Sequence, residues 1–235
     1  MNNTYYSKTR IFSQRPKGNT RCVAKETYIL EKCKNKNVLH VGCSSWPSTE
    51  YEIQTNLLLH KKIECVASTV WGIDISEEGI SCLRNYGIET VSIGNAENLP
   101  MDRQYDVIVA GDVLEHLSNP GLFLDGVQKI TVPSASLIVT APNAFTLSRS
   151  LKHWFGGKEI VHEEHTCYFS AKTLAALCAR YDFLPTDLRY VSNANRTLCA
   201  TIKRSFQSVC PMAASQLLMT FMKSDDVPPL PYYEI

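Results

Sequence analysis

Short apolar runs of strand length alternate along this chain with stretches whose apolar residues recur at helical spacing. Asn37–Ser44, Thr69–Ile75, Ile88–Ile93, Asp106–Ala110 and Leu137–Thr140 predict strands; the last two are almost continuously apolar, as parallel strands covered on both faces require. Helices are predicted between them: Arg21 to Lys34, Pro47 through Lys61 with Ile53, Leu57 and Leu58 on one face, an N-cap at Ser76 leading to Tyr86, and Asn119-Pro120-Gly121 through Ile130. This alternation predicts an α/β fold with a doubly wound, mostly parallel sheet.

Beyond Pro142 the pattern changes. Ala144–Ile160, with Trp154, Phe155 and Gly156-Gly157, reads as an irregular lid segment bounded at about residues 144–165. Ser170 caps a predicted helix through Tyr181. Phe183–Val191 and Leu198–Lys203 stand too close together for a crossover helix, which predicts a C-terminal antiparallel hairpin. Residues 209–223 read as one more amphipathic helix, Asp225–Ile235 as an extended tail and residues 1–20 as a flexible arm, leaving 21–208 as the folded domain.

Composition narrows the class. With 44% hydrophobic and 20% charged residues in 235, the chain is globular rather than disordered. Lys+Arg of 24 against Asp+Glu of 23 leaves a net charge of +1, so no global electrostatic attraction to nucleic acid or to an anionic membrane is built in, which argues against a nucleic-acid partner. No apolar run approaches the ~18 residues of a membrane span, so no membrane partner is expected. Nine cysteines without a CxxC pair, behind a polar N-terminus lacking a signal-peptide core, predict reduced thiols in a cytoplasmic protein. The oligomeric state has no signature in the sequence.

Candidate chemistry sits where predicted strands end. A strand ending in glycine, as at Gly42, can turn sharply and bring bare N–H groups against a ligand. A carboxylate at the tip of the neighbouring strand, Asp74, can accept both hydroxyls of a ribose. The spacing between the two exceeds the ~20 residues of the dinucleotide fingerprint, which counts against NAD. His116 and His165, which titrate near neutral pH, are candidate general bases, with local hydrogen bonding as the competing role. His162-Glu163-Glu164-His165 lacks the H-E-x-x-H spacing of a zinc helix and reads as a solvated charged loop.

Six segments carry a family likeness: Val38-Leu39-His40-Val41-Gly42-Cys43; Gly72-Ile73-Asp74-Ile75-Ser76; Gly94-Asn95-Ala96-Glu97-Asn98-Leu99-Pro100; Tyr105-Asp106-Val107-Ile108 running to Asp112-Val113-Leu114-Glu115-His116-Leu117; Leu137-Ile138-Val139-Thr140-Ala141-Pro142-Asn143; and His165 through Phe169-Ser170. In this order they resemble class I S-adenosylmethionine-dependent methyltransferases, in particular the small-molecule branch of quinone and sugar O-methyltransferases. The resemblance spans about residues 37–190. It implies a Rossmann-like fold and S-adenosylmethionine as cofactor. Carried onto this sequence, it implies that Gly42, Cys43 and Ser44 form the first cofactor loop, near the methionine part. Asp74 would bind the ribose, with Ile75 against the adenine; Asn95, Ala96 and Glu97 would flank the adenine, and Gly111 and Asp112 would floor the pocket near the sulfonium.

Three positions depart from the family pattern. The glycine-rich G-x-G-x-G becomes Gly42-Cys43-Ser44-Ser45-Trp46, the acidic residue usual two positions before the first glycine is His40, and the usual Asp of the adenine loop is Asn95. Asp112-x-x-Glu115-His116 also resembles the acidic-x-x-Glu-His set with which some quinone O-methyltransferases hold a divalent cation. Glu115 could equally cap the helix near Asn119, and no metal is assigned. The expected function is methylation of a small-molecule acceptor, an oxygen of a sugar or other hydroxylated metabolite, with His116 or His165 removing the proton. The alternatives are a noncatalytic binding or scaffold protein on the same fold and a tRNA base methyltransferase.

Overall fold

Along β4 (Tyr105–Gly111), Val107 and Val109 pack into one hydrophobic cluster and Ile108 and Ala110 into another, all buried, as the two-residue period of a strand covered on both faces dictates. The computed structural model, which describes residues 25–157, 161–191, 210 and 213–223, places this strand in a seven-stranded sheet. The others are β1 (Asn37–Val41), β2 (Thr69–Asp74), β3 (Val91–Ile93), β5 (Thr131–Pro142), β6 (Phe183–Val191) and β7 (Gln216–Lys223), in the spatial order β3-β2-β1-β4-β5-β7-β6. β1 to β5 run parallel, and β7 lies antiparallel between β5 and β6. The Rossmann-like, mostly parallel α/β sheet with an antiparallel C-terminal pair is therefore as the sequence predicts.

Helices cover both faces. α1 (Lys25–Cys33) and α3 (Leu59–Glu64) set Tyr28, Ile29, Cys33 and Ile63 on Val38, Val107, Val109 and Ile138. α5 (Pro120–Ile130) and α7 (Ala171–Ala179) put Phe123, Leu124, Val127, Leu174 and Cys178 on Leu39, Ile108, Leu137 and Val139. α2 (Thr49–Gln54) and α4 (Glu77–Asn85) close a third cluster around Cys43, Ile53, Ile80 and Leu83. The predicted caps form: Ser76 Oγ accepts from Gly79 N at 2.9 Å, Asn119 Oδ1 from Gly121 N at 3.1 Å, and Ser170 completes a capping box with Thr173.

Several expectations are corrected. The helix predicted over 209–223 is not there: Gln216–Lys223 is β7, with Leu217, Leu218, Met219, Thr220 and Phe221 buried in succession. A segment apolar on both faces carries neither period cleanly, and its place between two strands decides the matter. The predicted partner of β6, Leu198–Lys203, lies outside the described residues, as do the arm 1–20 and the tail 225–235. The helix expected from Pro47 to Lys61 is split at Asn56, which takes φ 56°, and Leu57 is left 51% exposed rather than sharing a buried face. The segment expected to be an irregular lid is helical over Leu147–Gly156, which forms α6, and Gly157 at φ 63° caps its C-terminus.

Candidate functional site

The strand order reverses beside β1, so the loops after β1 and β4 diverge and open a crevice at the carboxyl ends of the strands. A cavity of about 720 Å³ lies there. Of the residues expected to bind cofactor, Gly42, Ser44, Asp74, Ile75, Asn95, Ala96, Gly111 and Asp112 line it, together with His116; Cys43, Glu97 and His165 do not.

The loop after β1 is held by its own backbone. Gly42 takes φ 73°, and a Cβ there would stand 2.7 Å from Val113 Cγ2, so only glycine suits the turn. The N–H groups of Gly42 and Cys43 donate to Ile73 O at 2.9 and 3.2 Å. Ser44 N then donates to Asp74 Oδ2 at 2.9 Å, and Ser76 N to Asp74 Oδ1 at 3.0 Å. The carboxylate is thereby fixed at the tip of β2, each oxygen keeping a lone pair for a further donor.

The missing glycines are compensated. Ser44 is fully buried, and its Oγ lies 2.4 Å from where a Cβ of Gly79 would be. The serine turns into space that a glycine of α4 leaves open, while Ser45 adopts φ 57°. Cys43 points away from the cavity: its Sγ occupies space beside Gly72, and burial, reinforced by Asp74, pushes its thiol well up, which makes it a packing residue. In the loop after β3, Asn95 Oδ1 accepts from Glu97 N at 2.8 Å, and Glu97 Oε1 accepts from Asn119 N at 2.8 Å. Glu97 thus braces the start of α5 rather than facing the cavity.

His40, in the position usual for an acid, is buried against the equally buried His60, Nδ1 to Nδ1 at 3.3 Å with rings stacked. Burial holds both imidazoles neutral, His40 well below its ordinary range and His60 at about 4. One nitrogen donates to the other, so the pair stands without charge where a carboxylate would bring one.

Asp112 (φ 56°) is fixed from three sides. Its N–H donates to Thr140 O at 2.9 Å, and its carboxylate accepts from Lys25 Nζ at 2.5 Å and, through both oxygens, from Gln216 Nε2 at 3.1 Å. Lys25 also lines the cavity, and sequence reasoning missed both it and Gln216. Each belongs to an element remote in the chain, α1 and β7, and no local motif marks them.

Past β4, a 3₁₀ turn (Leu114–His116) carries the polar cluster. Glu115 is completely buried, with neither carboxylate oxygen hydrogen-bonded, and burial pushes it up to about 8. It does not cap the helix after Asn119, which caps itself. Thr166 straps the loop after α6 onto this turn, donating from N and Oγ1 to Glu115 O at 2.8 and 3.0 Å. His165 thereby meets His116 edge to face at 4.7 Å between ring centres, with His162 5.0 Å from His165. Burial, then the neighbouring His116, lowers His165. Glu115, His116 and His165 offer ligand atoms within 4.8 Å of one another and could hold a divalent cation. That set differs from the acidic-x-x-Glu-His pattern, because Asp112 is taken by Lys25 and Gln216.

A family model described as "Methyltransferase domain" matches residues 20–187. A Mycobacterium tuberculosis (strain CDC 1551 / Oshkosh) protein named a probable S-adenosylmethionine-dependent methyltransferase is 29% identical over 51% of this chain and 40% of its own. The mitochondrial ubiquinone biosynthesis O-methyltransferase of Dictyostelium discoideum is 28% identical over 52% of this chain and 44% of its own. The chain spans less than half the length of these curated relatives. A solved S-adenosylmethionine-dependent methyltransferase from Mesorhizobium loti shares the fold, with TM-score 0.57 and 14% identity over 84% of this chain and 97% of that one. One from Clostridium acetobutylicum ATCC 824 gives TM-score 0.55 and 12% identity over 84% and 90%. The family match covers well over half of the sequence and establishes that this chain belongs to the methyltransferase-domain family, the class I fold that uses S-adenosylmethionine.

Proposed function

We propose that this chain binds S-adenosylmethionine in the crevice beyond β1, β2 and β4 and transfers the methyl group to an oxygen of a small hydroxylated acceptor, a sugar or related metabolite. The observation that carries the reading is the Asp74 carboxylate, fixed by Ser44 N and Ser76 N at the cavity wall with lone pairs to spare for vicinal hydroxyls. Ile75, 73% exposed beside it, supplies an apolar surface for a base, with Ala96 and Asn95 across the cavity wall. The turn at Gly42 presents backbone without a side chain. Lys25 is the one lysine or arginine among the lining residues; its ammonium pairs with Asp112 and keeps further donors for the carboxylate of the cofactor's amino-acid end.

The bound cofactor supplies a methyl sulfonium that is already an activated donor, so the protein's own task is to align a nucleophile and take its proton. His116 lines the cavity and His165 packs on its edge. With its pKa lowered, His165 favours the neutral imidazole and can accept a proton relayed through His116. The likeness to an O-methyltransferase supports oxygen as the atom methylated. The seven described cysteines are all unpaired, which supports a reducing compartment such as the cytoplasm.

The test is calorimetric titration with S-adenosylmethionine and S-adenosylhomocysteine beside an Asp74→Ala variant, followed by a hydroxylated acceptor panel with His116→Ala and His165→Ala. Saturable binding weakened by Asp74→Ala, and transfer lost in a histidine variant, are the expected results. No binding at millimolar ligand overturns the reading. Binding without transfer to any acceptor would put the noncatalytic binding protein in its place.

A further inference from the structure

The buried imidazole pair is the inner end of a longer chain of polar groups. His40 shares with Val38 the face of β1 that α1 and α3 cover, which brings it against His60 of α3. Gly72, the register partner of His40 on β2, makes room for the second ring: a Cβ there would stand 2.7 Å from His60 Cε1. On its other side His60 Nε2 lies 3.5 Å from Thr90 Oγ1, and that hydroxyl donates to Glu64 Oε1 at 3.1 Å. Thr90 is held in place by its carbonyl, which accepts from Gly72 N at 2.8 Å. These four side chains join the crevice, which His40 lines, to the exposed carboxylate of Glu64.

From Glu64 inward, each bond fixes the next. A carboxylate only accepts, so the single hydroxyl proton of Thr90 is spent on Glu64, and Thr90 Oγ1 can only accept from His60. His60 therefore carries its proton on Nε2 and presents a bare Nδ1. The facing Nδ1 of His40, 3.3 Å away, is then the protonated one, which leaves a lone pair on His40 Nε2. Burial keeps both rings neutral, with the Lys25 ammonium acting further on His40, so no second proton occupies that nitrogen. Among the described residues nothing bonds it.

A bare imidazole nitrogen takes an N–H donor, and the neighbouring Lys25 narrows which one. Both residues line the crevice, one offering a cation and the other a lone pair. The amino-acid end of S-adenosylmethionine carries both complements on one carbon, a carboxylate for Lys25 and an ammonium for His40. We infer that Glu64, Thr90 and His60 are positioning residues that hold His40 in its Nδ1–H tautomer, so that His40 Nε2 accepts a hydrogen bond from the cofactor's α-ammonium. The inference rests on the cofactor reading proposed above. It gives the histidine that stands in place of an acidic residue a binding role that needs an acceptor and no charge.

The test has two independent readouts on the full chain. Long-range proton–nitrogen NMR of the histidine-labelled protein without cofactor, with rings assigned by single substitutions, should show His40 as the Nδ1–H tautomer and His60 as the Nε2–H tautomer. Thr90→Val keeps the size of the side chain and removes the relay, and it should mix the tautomers of both rings. By calorimetry the same variant should bind S-adenosylhomocysteine roughly threefold to tenfold more weakly, yet leave unchanged the affinity for its des-amino analogue, which keeps the carboxylate. An Nε2–H tautomer for His40, or tautomers indifferent to Thr90→Val, overturns the relay. Equal losses for the two ligands, or none for either, overturn the ammonium contact. Failure of the native protein to bind S-adenosylhomocysteine at millimolar ligand would remove the cofactor reading and the ammonium contact with it, while the tautomers would still decide the relay.

Discussion

Replacing Gly79 by alanine should destabilise the protein even though alanine is the better helix former. The new Cβ would stand 2.4 Å from Ser44 Oγ and 2.7 Å from Ser44 Cβ. Ser44 is fully buried, and its N–H is committed to Asp74, so it has no open direction in which to yield. Overpacking of this kind costs ~1–3 kcal/mol, against which the helix propensity of alanine returns at most ~1 kcal/mol. The net expectation is a loss of about 1–2 kcal/mol, a fall in Tm of roughly 2–8 °C for a chain of this size. Removing the obstruction reverses the sign: in a Ser44→Gly background, Gly79→Ala should be neutral to stabilising, giving a coupling on the order of 2 kcal/mol. Urea titrations of the native protein, the two single variants and the double variant measure it. S-adenosylhomocysteine affinity is the second readout, since any shift of Ser44 moves the bond that fixes Asp74. Additivity within ~0.5 kcal/mol, or a stabilising Gly79→Ala in the native background, would refute the account of how this loop does without its glycines.

On the function proposed above, Asp74→Ala should weaken S-adenosylhomocysteine binding by roughly a hundredfold, measured by calorimetry; an unchanged Kd would place the ribose elsewhere. Lys25→Met should weaken S-adenosylhomocysteine about tenfold while leaving methylthioadenosine, which lacks the amino-acid carboxylate, unaffected; equal losses for both ligands would reduce Lys25 to a scaffold role. His40 and His60 are held neutral in the fold, His60 at about 4, whereas an unfolded imidazole titrates near 6.5. Because the folded pKa is the lower one, the stability they contribute is full above about pH 6.5 and is lost as pH falls toward about 4, by up to ~1.4 kcal/mol per pH unit for each proton taken up. Urea midpoints across that window should fall more steeply for the native protein than for His60→Leu, and parallel curves would show that the pair is not buried neutral.

What the sequence revealed follows from which physical constraints are local. β1, β2, β4 and β5 were legible because a central parallel strand must be apolar on both faces and ends abruptly, and Gly42 because a positive φ favours glycine. β7 was not, since Leu217 to Phe221 is buried throughout and shows no period. α6 was not, because the Gly156-Gly157 pair that ends it is a breaker signal and only a short helical spacing, Leu147, Leu151 and Trp154, precedes it. Cys43 and Ser44 were legible as loop residues, but which of the two faces the cavity depends on Gly79 and Gly72, which come from other elements. Lys25 and Gln216 reach Asp112 across 87 and 104 residues, and such a meeting is settled by topology alone.

That meeting has a bearing on how the protein is made. Among the described strands, β6 pairs only with β7, so residues 183–191 have no place in the sheet until residues 216–223 have left the ribosome. The parallel half, β1 to β5, can assemble while synthesis continues, but Asp112 at its edge then holds Lys25 without Gln216. The crevice acquires its finished floor last, and a nascent chain stopped short of β7 would carry a nearly complete nucleotide pocket beside an open strand edge on β5, the kind of edge on which chains aggregate.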